Sequence, residues 1–447
     1  MTIDWVAAAR EVTDHLQALL RFDTTNPPGN ESIAADYLAA TLHREGIESR
    51  IVESTPGRGN LVARLRADNP SARPLLLMGH TDVVGVERDQ WTHDPFSGDL
   101  DDGFLWGRGA LDMKGQVAAE LVTVLLLKRG GVRLERDVIF AAFADEETGG
   151  RHGAAWVWDH HRDLIDAEFA INEGGGWPAT IGRRRFYLCQ VGEKGAARLR
   201  LTARAEPGHA SVPLDDTAMA RLGQALVRLH HWQPPTIICR SVHQMLETVA
   251  EAFGPDGSAM IRRILANPSW EALRALPLDD EYRRMLRATT RNTAVPTIVR
   301  GGHRINVIPS EVVLDVDGRI LPGEEPEAWR RQVQEVVGDQ VEVTLLSRES
   351  GIEADPASPL FDAIAETMTE LDPGSAVAPY LTSGGTDARH LPDVKVYGFF
   401  PIGPNDRTAL YGTLVHGHDE RIAIDDLAFS NRFLYDLVVR FCGALVT

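Results

Sequence analysis

Three apolar segments decide the fold of this chain: PLLLMG (74–79), DVIFAAFA (137–144) and AEFAIN (167–172). Each is a nearly continuous hydrophobic run of strand length, which is typical of strands buried on both faces of a sheet. Helical periodicity at 113–129 and at about 152–162 lies between them. Strands that alternate with helices in this way predict an α/β fold whose sheet is covered by helices on both faces.

A different texture begins at about residue 195. The segment RLRLTARA (198–205) alternates apolar and polar residues, as a half-exposed strand does. The elements predicted after it are a helix at 215–231, strands near 295–301 and 311–321, a helix at 325–337 and a strand at 340–347. This β-α-β-β-α-β order is that of a ferredoxin-like α+β domain.

The pattern of helices and continuous apolar strands returns at about residue 356. We therefore predict one domain built from both ends of the chain and a second domain inserted into it. The predicted boundaries assign 1–194 and 351–447 to the first domain and 195–350 to the inserted one. Within the insert, residues 233–294 are mostly helical in pattern and punctuated by Pro. We treat them as a helical insertion within the inserted domain.

The charge balance excludes several kinds of partner. The 447 residues include 46 basic and 64 acidic ones, which gives a formal net charge of −18. An acidic surface repels phosphate backbones and anionic lipids, so we expect no nucleic-acid or membrane partner. The longest apolar run, LVTVLLL (121–127), is far shorter than the roughly 18 residues of a membrane span.

Cysteine usage and the first residues predict a cytoplasmic location. Cys189, Cys239 and Cys442 are far apart and odd in number, so a disulfide framework or a thiolate zinc site is not expected. Asp4 and Glu11 fall where a signal peptide has a basic and then an apolar stretch. Reduced, buried thiols in a cytoplasmic protein agree with both observations.

Acidic and imidazole groups follow the ends of the predicted buried strands, where ligands bind in open α/β sheets. These groups are His80, Asp82, Asp145, Glu146, Glu147 and Glu173, and Asp112 precedes a predicted helix. Each has an ordinary explanation alone: Asp112 as a helix cap, the glutamates as solvated charges, His80 as a core histidine. Together the carboxylates would repel one another unless a cation lay among them. His and carboxylate ligands without Cys suit zinc, and also cobalt or manganese.

Local spacing indicates which of these groups could bind a metal, which could orient a ligand and which could act as a general base. His80 and Asp82 are two residues apart on an extended chain, so both side chains point the same way. Asp82 can therefore accept the spare imidazole N–H and leave the other ring nitrogen for a metal. Glu146 and Glu147 are neighbours that cannot both face one metal, so one would bind it and the other act as general base. Spacing alone does not say which.

Six segments in order carry a resemblance to a known family. They are DTTNPPG (23–29), GHTDVV (79–84), WTHDPFSGDLDDGFLWGRGALDMKG (91–115), ADEETGG (144–150), INEGG (171–175) and LVHGHDERI (414–422). Together they resemble the aminoacylase / carboxypeptidase G / acetylornithine deacetylase / succinyl-diaminopimelate desuccinylase family of dizinc metallopeptidases. The length of 233–294 is similar to that in the carboxypeptidase S and N-acyl-amino-acid hydrolase branch. The resemblance implies a three-layer, zinc-peptidase-like catalytic domain with an inserted ferredoxin-like lid or dimerisation domain.

The resemblance also implies a role for each candidate residue. Asp112 would bridge two zinc ions, with His80 and Glu173 completing one site and Glu147 and His416 the other. Glu146 would be the general base, and Asp82 would orient His80. The His-x-x-Asp-Glu pattern selects His416 as the ligand over its rival His418.

The inserted domain and a late loop supply further candidates by the same resemblance. GHASVP (208–213) resembles the segment whose histidine reaches the partner's active site in a homodimer, which implies that role for His209; an ordinary loop histidine is the alternative. RINVIP (304–309) and DGRILPG (317–323) imply that Asn306 and Arg319 bind a substrate carboxylate. Arg319 has an alternative partner in Asp317 on the same strand face. TSGGTDARH (382–390) resembles a substrate loop made by Gly384, Gly385 and Thr386.

The function implied is hydrolysis of an amide bond in an N-acyl amino acid or a short peptide with a free carboxylate. Two metal ions would activate the attacking water. Deacylase and dipeptidase or carboxypeptidase specificity remain alternatives. The other candidates are a catalytically silent binding protein on the same scaffold, which should lack a ligand or the base, and a dimetal phosphoesterase, which should carry a phosphate cradle.

Overall fold

The structure, a computed structural model, describes residues 3–443. Its helices are α1 (Trp5–Leu20), α2 (Ser32–Arg44), α3 (Lys114–Gly130), α4 (Ala154–Ile165), α5 (Ala218–His231), α6 (Arg240–Ala250), α7 (Gly254–Ala266), α8 (Trp270–Arg274), α9 (Asp280–Thr289), α10 (Pro326–Val337), α11 (Pro359–Leu371), α12 (Thr408–Leu414) and α13 (Ile424–Cys442). Its strands are β1 (Ser49–Glu53), β2 (Gly59–Leu65), β3 (Leu75–His80), β4 (Leu100–Asp101), β5 (Phe104–Trp106), β6 (Val138–Phe143), β7 (Phe169–Asn172), β8 (Pro178–Ile181), β9 (Arg184–Glu193), β10 (Gly195–Ala196), β11 (Leu199–Arg204), β12 (Gly208–His209), β13 (Thr293–Gly301), β14 (Val307–Ile308), β15 (Glu311–Ile320), β16 (Val341–Leu345), β17 (Ile352–Glu353), β18 (Ala376–Thr382), β19 (Lys395–Gly398) and β20 (Arg421–Ala423).

Contacts group the chain into two units. The first contains residues up to Val191, Ala354–Pro379 and the chain from Thr386 onward. The second contains Gly192–Glu353 and Tyr380–Gly385. The two units have different architectures, and each has a hydrophobic core of its own.

The first unit is built on a mixed sheet whose central strands run in the order β2-β6-β3-β7-β19. Strand β3 is parallel to β6 and to β7, and β7 is parallel to β19. Every residue of β3, β6 and β7 is buried, as the continuous apolar runs predict. Leu77 and Phe140 face the main core, which includes residues of α1, α3 and α13, while α4 packs against β2 and β6. Helices therefore cover both faces of this sheet.

Parallel pairing determines where the polar side chains lie. Because β3, β6 and β7 run in one direction, their carboxyl ends share one edge of the sheet. His80 ends β3, Glu146 follows β6 by three residues, and Glu173 follows β7 directly. The fold thus brings residues that are distant in sequence to one edge.

Helix α3 leads away from this edge through the core. The residue that caps its C-terminus is Gly131, whose φ of 58° lies in the left-handed region that glycine adopts readily. Most of its side chains are buried, including the polar side chain of Glu120. Neither α3 nor any other helix within residues 3–443 is both long and apolar enough to cross a membrane.

The second unit has the predicted β-α-β-β-α-β order. Its antiparallel sheet runs β13-β15-β11-β16, and helices α5 and α10 bury their apolar sides, including Trp329, against one face. The opposite face carries ion pairs such as Arg200 to Asp315 at 2.7 Å. Helices α6–α9 lie between α5 and β13 in the chain, within the segment predicted to be a helical insertion.

Candidate metal centre

Five side chains in the first unit form two groups that share one carboxylate. The first group is His80, Asp112 and Glu173, and the second is Asp112, Glu147 and His416; within each, the potential ligand atoms lie within 4.8 Å of one another. His80 Nε2 is 3.1 Å from Asp112 Oδ1, and His416 Nε2 is 3.1 Å from Asp112 Oδ2. The two oxygens of Asp112 therefore face two different histidines. We call these five residues the candidate metal centre.

The donor set fits two divalent cations. Three carboxylates and two imidazoles lie together, and Oε1 of Glu147 is buried without a hydrogen-bond partner among the described residues. Burial, and then the charge of Asp112, hold the pKa of Glu173 well above its usual value. Hydrogen bonds that the imidazole donates to the carboxylates of Asp112 and Glu147 raise the pKa of His416 to about 10. These pKa shifts arise because carboxylates and histidines lie against one another without a cation between them. Two cations bound among these side chains would compensate the negative charge of the carboxylates.

A buried ion pair holds the loop that carries Asp112. The carboxylate of Glu420 accepts hydrogen bonds from the backbone N–H of Leu111 at 2.7 Å and of Asp112 at 3.1 Å. Its other oxygen accepts from Arg108 Nη1 at 2.7 Å. Arg108 also donates to the carbonyl of Gly417 at 2.8 Å. The pair therefore joins the Asp112 loop to the loop that carries His416.

Asp82 holds the turn that carries the two glutamates. Its carboxylate accepts from the backbone N–H of Glu146 and of Glu147, each at 3.1 Å, and from Asn26 Nδ2 at 2.8 Å. His80 Nδ1 lies 3.0 Å from the carbonyl oxygen of Asp82 and 3.5 Å from its carboxylate. The residue thus meets the spare imidazole nitrogen mainly through its backbone, while its side chain fixes the adjacent turn.

Asp145 stabilises the start of the same turn. It has a φ of 70°, and its carboxylate accepts from Arg58 Nη2 at 2.7 Å and from the backbone N–H of His152 at 2.9 Å. Arg58 Nε lies 3.0 Å from Glu31 in a site that is almost wholly buried. This network lies behind the glutamates and fixes the backbone that directs them.

Glu146 belongs to neither of the two ligand groups and has its own surroundings. Its Oε1 is 3.4 Å from Arg389 Nη2. Burial holds its pKa well above the usual value, although His80 and Arg389 act in the opposite direction. Asp387 is buried nearby with no hydrogen-bond partner among the described residues, and burial raises its pKa to about 7. A carboxyl with a raised pKa in such a place is suited to hold and transfer a proton.

The late loop presents His416 and not His418 to this cluster. His416 has a φ of 57°, and its Nε2 lies 3.2 Å from Glu147 Oε2. His418 points elsewhere, with its Nε2 4.0 Å from exposed Glu87. Only His416 of the two lies within a group that could hold a metal.

The second unit brings two of its candidates together. Strands β12 and β14 pair His209 with Val307, and the carbonyl of Asn306 accepts from the backbone N–H of Ala210 at 3.0 Å. His209 is exposed, and its Nδ1 accepts from the backbone N–H of Ser211 at 3.2 Å. The proton of the neutral ring is therefore on Nε2, which can donate outward.

The remaining candidates are more ordinary in their surroundings. Arg319 Nε lies 2.9 Å from Asp317, the alternative partner identified from the sequence. Gly384 is exposed and belongs to the second unit, as does Gly385. Thr386 belongs to the first unit, where its buried hydroxyl accepts from Asn172 Nδ2 at 2.9 Å.

Several residues that shape the centre did not emerge from the sequence. They are Arg58, Arg108, Asp387, Arg389 and Glu420. Arg108 is in the quoted segment 91–115, Glu420 is in LVHGHDERI, and Asp387 and Arg389 are in TSGGTDARH, so four of them belong to quoted motifs. The presence of a charged residue inside one of these motifs was the sequence signal that could have identified these four residues. Arg58 has no such signal, because its partners are distant in sequence.

Comparisons with known proteins agree with this geometry. The chain matches the family described as Peptidase family M20/M25/M40 over residues 76–440. A probable carboxypeptidase S-like 2 of Dictyostelium discoideum is 30% identical over 391 residues, which cover 85% of this chain and 74% of that protein. The human N-fatty-acyl-amino acid synthase/hydrolase PM20D1 is 28% identical over 387 residues, covering 84% of this chain and 75% of that one. The M20 family metallo-carboxypeptidase Sso-CP2 from Sulfolobus solfataricus superposes with a TM-score of 0.71 at 18% identity, over 96% of this chain and 98% of that one. The predicted fold class is thereby confirmed.

Proposed function

The chain belongs to peptidase family M20/M25/M40, as its motifs predict, and on that premise we propose that it hydrolyses N-acyl amino acids or short peptides that carry a free carboxylate. The family makes it a metal-dependent hydrolase of amide bonds. The observation that carries the proposal is the position of Asp112 between two ligand groups, with Glu146 beside them. A catalytically silent protein would be expected to lack a ligand or the base, and this chain has them all.

We propose two zinc ions per chain, one held by His80, Asp112 and Glu173 and the other by Asp112, Glu147 and His416. Cobalt and manganese suit the same ligands. Metal ions bound there would lower the pKa of a water molecule from 15.7 toward about 7 and polarise the substrate carbonyl.

Glu146 is the proposed general base. It takes a proton from the attacking water and later gives it to the leaving amine. Its raised pKa favours the second of these transfers, while Arg389 at 3.4 Å keeps the ionised form accessible for the first. Asp82 is a positioning residue, because its carboxylate holds the N–H groups of the turn on which Glu146 lies.

His209 is proposed to stabilise the oxyanion of the tetrahedral intermediate in the partner subunit of a homodimer. Its Nε2 carries a proton, and one such donor is typically worth about 3–4 kcal/mol. The edge strand β13 supports self-association, because Val295, Ile298 and Val299 are about half exposed. Val227 on α5 adds another exposed apolar side chain.

The free carboxylate is assigned to Asn306 and Arg319, and the rest of the substrate to Gly384, Gly385 and Thr386. A guanidinium binds a carboxylate through two parallel hydrogen bonds, which explains a preference for substrates with that group. Arg319 would have to exchange Asp317 for the substrate. If the chain is a deacylase, its specificity resembles that of the relative named for N-fatty-acyl-amino acids. If it is a carboxypeptidase or dipeptidase, its specificity resembles that of the relative named carboxypeptidase S-like.

The proposed location is the cytoplasm. Cys189, Cys239 and Cys442 are all free and buried, which suits a reducing compartment. Fractionation of cells that express the tagged protein tests this, and recovery in the medium or the membrane pellet would contradict it.

Metal content and product identity test the proposed activity together. We expect two metal ions per chain by elemental analysis, loss of activity with a chelator, and recovery with zinc or cobalt. A panel of N-acyl amino acids, dipeptides and a phosphate monoester should release free amino acid and no phosphate. Full activity with one metal would refute the two-metal mechanism, and release of phosphate would favour the phosphoesterase.

Mixed dimers test the role of His209. His209→Ala and Glu146→Ala chains should each be inactive, and mixing them should restore part of the activity because one composite site keeps both residues. Mixtures that stay inactive, although labelled subunits demonstrably exchange, would contradict a contribution across the interface.

A further inference from the structure

The second unit contains a pocket of about 350 Å³ that none of the proposed metal-binding, catalytic or substrate-binding residues lines. It lies where the ends of α5 and α9 meet the start of β13. Much of its wall is apolar and comes from Leu229, Trp232, Pro234, Val295 and Pro296. This volume is at the lower end of the range for small-molecule sites, which are typically apolar with a few placed polar groups.

Three arginines supply the polar part, and we call the site the arginine pocket. Arg284 and Arg287 lie on α9 and Arg291 follows the helix, and all three line the pocket. None of them forms an ion pair with a carboxylate among the side chains that the structure describes. Arg283 on the same helix does pair, with Asp280. Among the described residues, only the more distant charge of Glu271 acts against the positive charge of Arg291, in a chain whose net charge is −18.

Arg291 is the most constrained of the three. Its side chain is buried, with 3% of the residue exposed, and its Nε has no hydrogen-bond partner among the residues that the structure describes. Its Nη1 donates to Gln233 Oε1 at 2.9 Å, and Arg287 Nη2 donates to the same oxygen at 3.3 Å. Two cations therefore share one neutral acceptor. Burial, and then the charge of Arg287, lower the pKa of Arg291.

An indole ring fixes the direction of both guanidinium groups. The centroid of Trp270 lies 5.1 Å from the guanidinium carbon of Arg291 and 5.8 Å from that of Arg287. Stacking of this kind orients the planar fork without neutralising it. A buried, rigid cation that forms no direct ion pair is costly unless a ligand supplies the opposite charge.

We propose that the arginine pocket binds the carboxylate of a small molecule with an apolar body. The carboxylate would accept from Nε of Arg291 and from Arg287, and the apolar part would lie against Trp232 and Pro296. Two guanidinium groups offer enough donors to bind a carboxylate, whereas a phosphate dianion is usually bound by more donors, such as a cluster of backbone N–H groups. The pocket therefore fits a carboxylate better than a phosphate. The proposal goes beyond the hydrolytic function and does not depend on it.

Calorimetric titration of the full-length, metal-loaded protein tests this with octanoate, octanamide and inorganic phosphate as probes. We expect saturable octanoate binding, weakened at least about tenfold in Arg287→Gln and in Arg291→Gln, because a hydrogen bond to a charged group is removed. Arg283→Gln is the matched control on the same helix and should bind as the parent does. Octanamide, which has no charge, should bind at least about tenfold more weakly.

Each other outcome overturns the proposal. Unchanged octanoate affinity in the arginine variants would place the carboxylate elsewhere, for example at the metal centre. Phosphate binding more tightly than octanoate would contradict the assignment of a carboxylate with an apolar body. Circular dichroism checks folding, and because Arg287 is exposed, its variant decides the question if Arg291→Gln does not fold.

Discussion

The candidate metal centre and the arginine pocket are both clusters of like charge, one in each unit, and they differ in sign and in how they are held. Three carboxylates meet two histidines in the first, whereas two of the three arginines in the second share a single amide oxygen. In each cluster the internal partners leave charge uncompensated. The sign of that residual charge predicts the ligand: cations for the first and an anion for the second.

The two clusters also differ in what positions them. Loops of the metal centre are held by buried carboxylates, Asp82 and Glu420, which accept backbone N–H groups. Side chains of the pocket are held by stacking on Trp270. Backbone anchoring fixes several ligands at once, so single changes in the metal centre should have the larger effects.

The largest expected effect separates the base from its neighbouring ligand. Glu146→Gln should lower kcat by about 10²- to 10⁴-fold and leave both metals bound, because proton transfer is lost and the ligands are kept. Glu147→Gln should instead reduce the metal content, because an amide is a poorer ligand than a carboxylate. Steady-state kinetics and elemental analysis of the two variants check both outcomes. The reverse pattern would mean that the two roles are exchanged.

Arg319 provides a smaller effect that depends on the substrate. As a carboxylate clamp, Arg319→Ala should cost about 2–5 kcal/mol in kcat/KM for a substrate with a free carboxylate and little for the matching carboxamide. Arg198→Ala is the matched control, since Arg198 also lies near Asp317, at 3.8 Å. Equal losses on both substrates, or none, would leave Arg319 with only its ion pair to Asp317.

Sequence reasoning predicted the buried strands well because their pattern is local. The runs at 74–79, 137–144 and 167–172 became β3, β6 and β7 with small changes at their ends. Strand β9 was missed, because RRFYLCQVGE mixes charged, aromatic and small residues without alternation. Its burial comes from neighbouring strands, which no window of sequence contains.

The site shows the same division between local and distant information. The residues at strand ends could be predicted to meet, since parallel strands bring their carboxyl ends together. The Arg108–Glu420 pair could not be predicted, because its members are 312 residues apart and meet only in the fold. The arginine pocket also escaped notice, since Arg284, Arg287 and Arg291 look like ordinary solvated charges until their carboxylate partners are found to be absent among the described side chains.

Glu420 tests whether backbone anchoring matters as the comparison suggests. Glu420→Gln should weaken metal binding by about 10- to 100-fold, the usual effect of losing a residue that orients ligands. Its single remaining oxygen cannot accept from Arg108, Leu111 and Asp112 together. Competition with a chelating dye measures the loss. Glu87→Gln, at an exposed glutamate near His418, is the control, and an equal loss there would contradict the anchoring role.

Substitution of Glu120 is expected to have the smallest effect, a change in stability. It tests the effect of burial on a carboxyl that lies in neither charge cluster. It is a fully buried carboxyl whose one hydrogen-bond partner within the described part of the chain is Gln116, and burial raises its pKa to about 8 from 4.5. The folded chain therefore keeps a proton that the unfolded chain loses, so stability falls as pH rises from about 4.5 to 8. Glu120→Gln should remove this fall and stabilise the protein by about 1–2 kcal/mol at pH 8, since the amide still buries a polar group, and by much less at pH 5. Denaturant unfolding at both pH values measures this. A gain that is equal at the two values would show that Glu120 is not protonated in the fold, and that burial without a cation does not neutralise a carboxylate in this core.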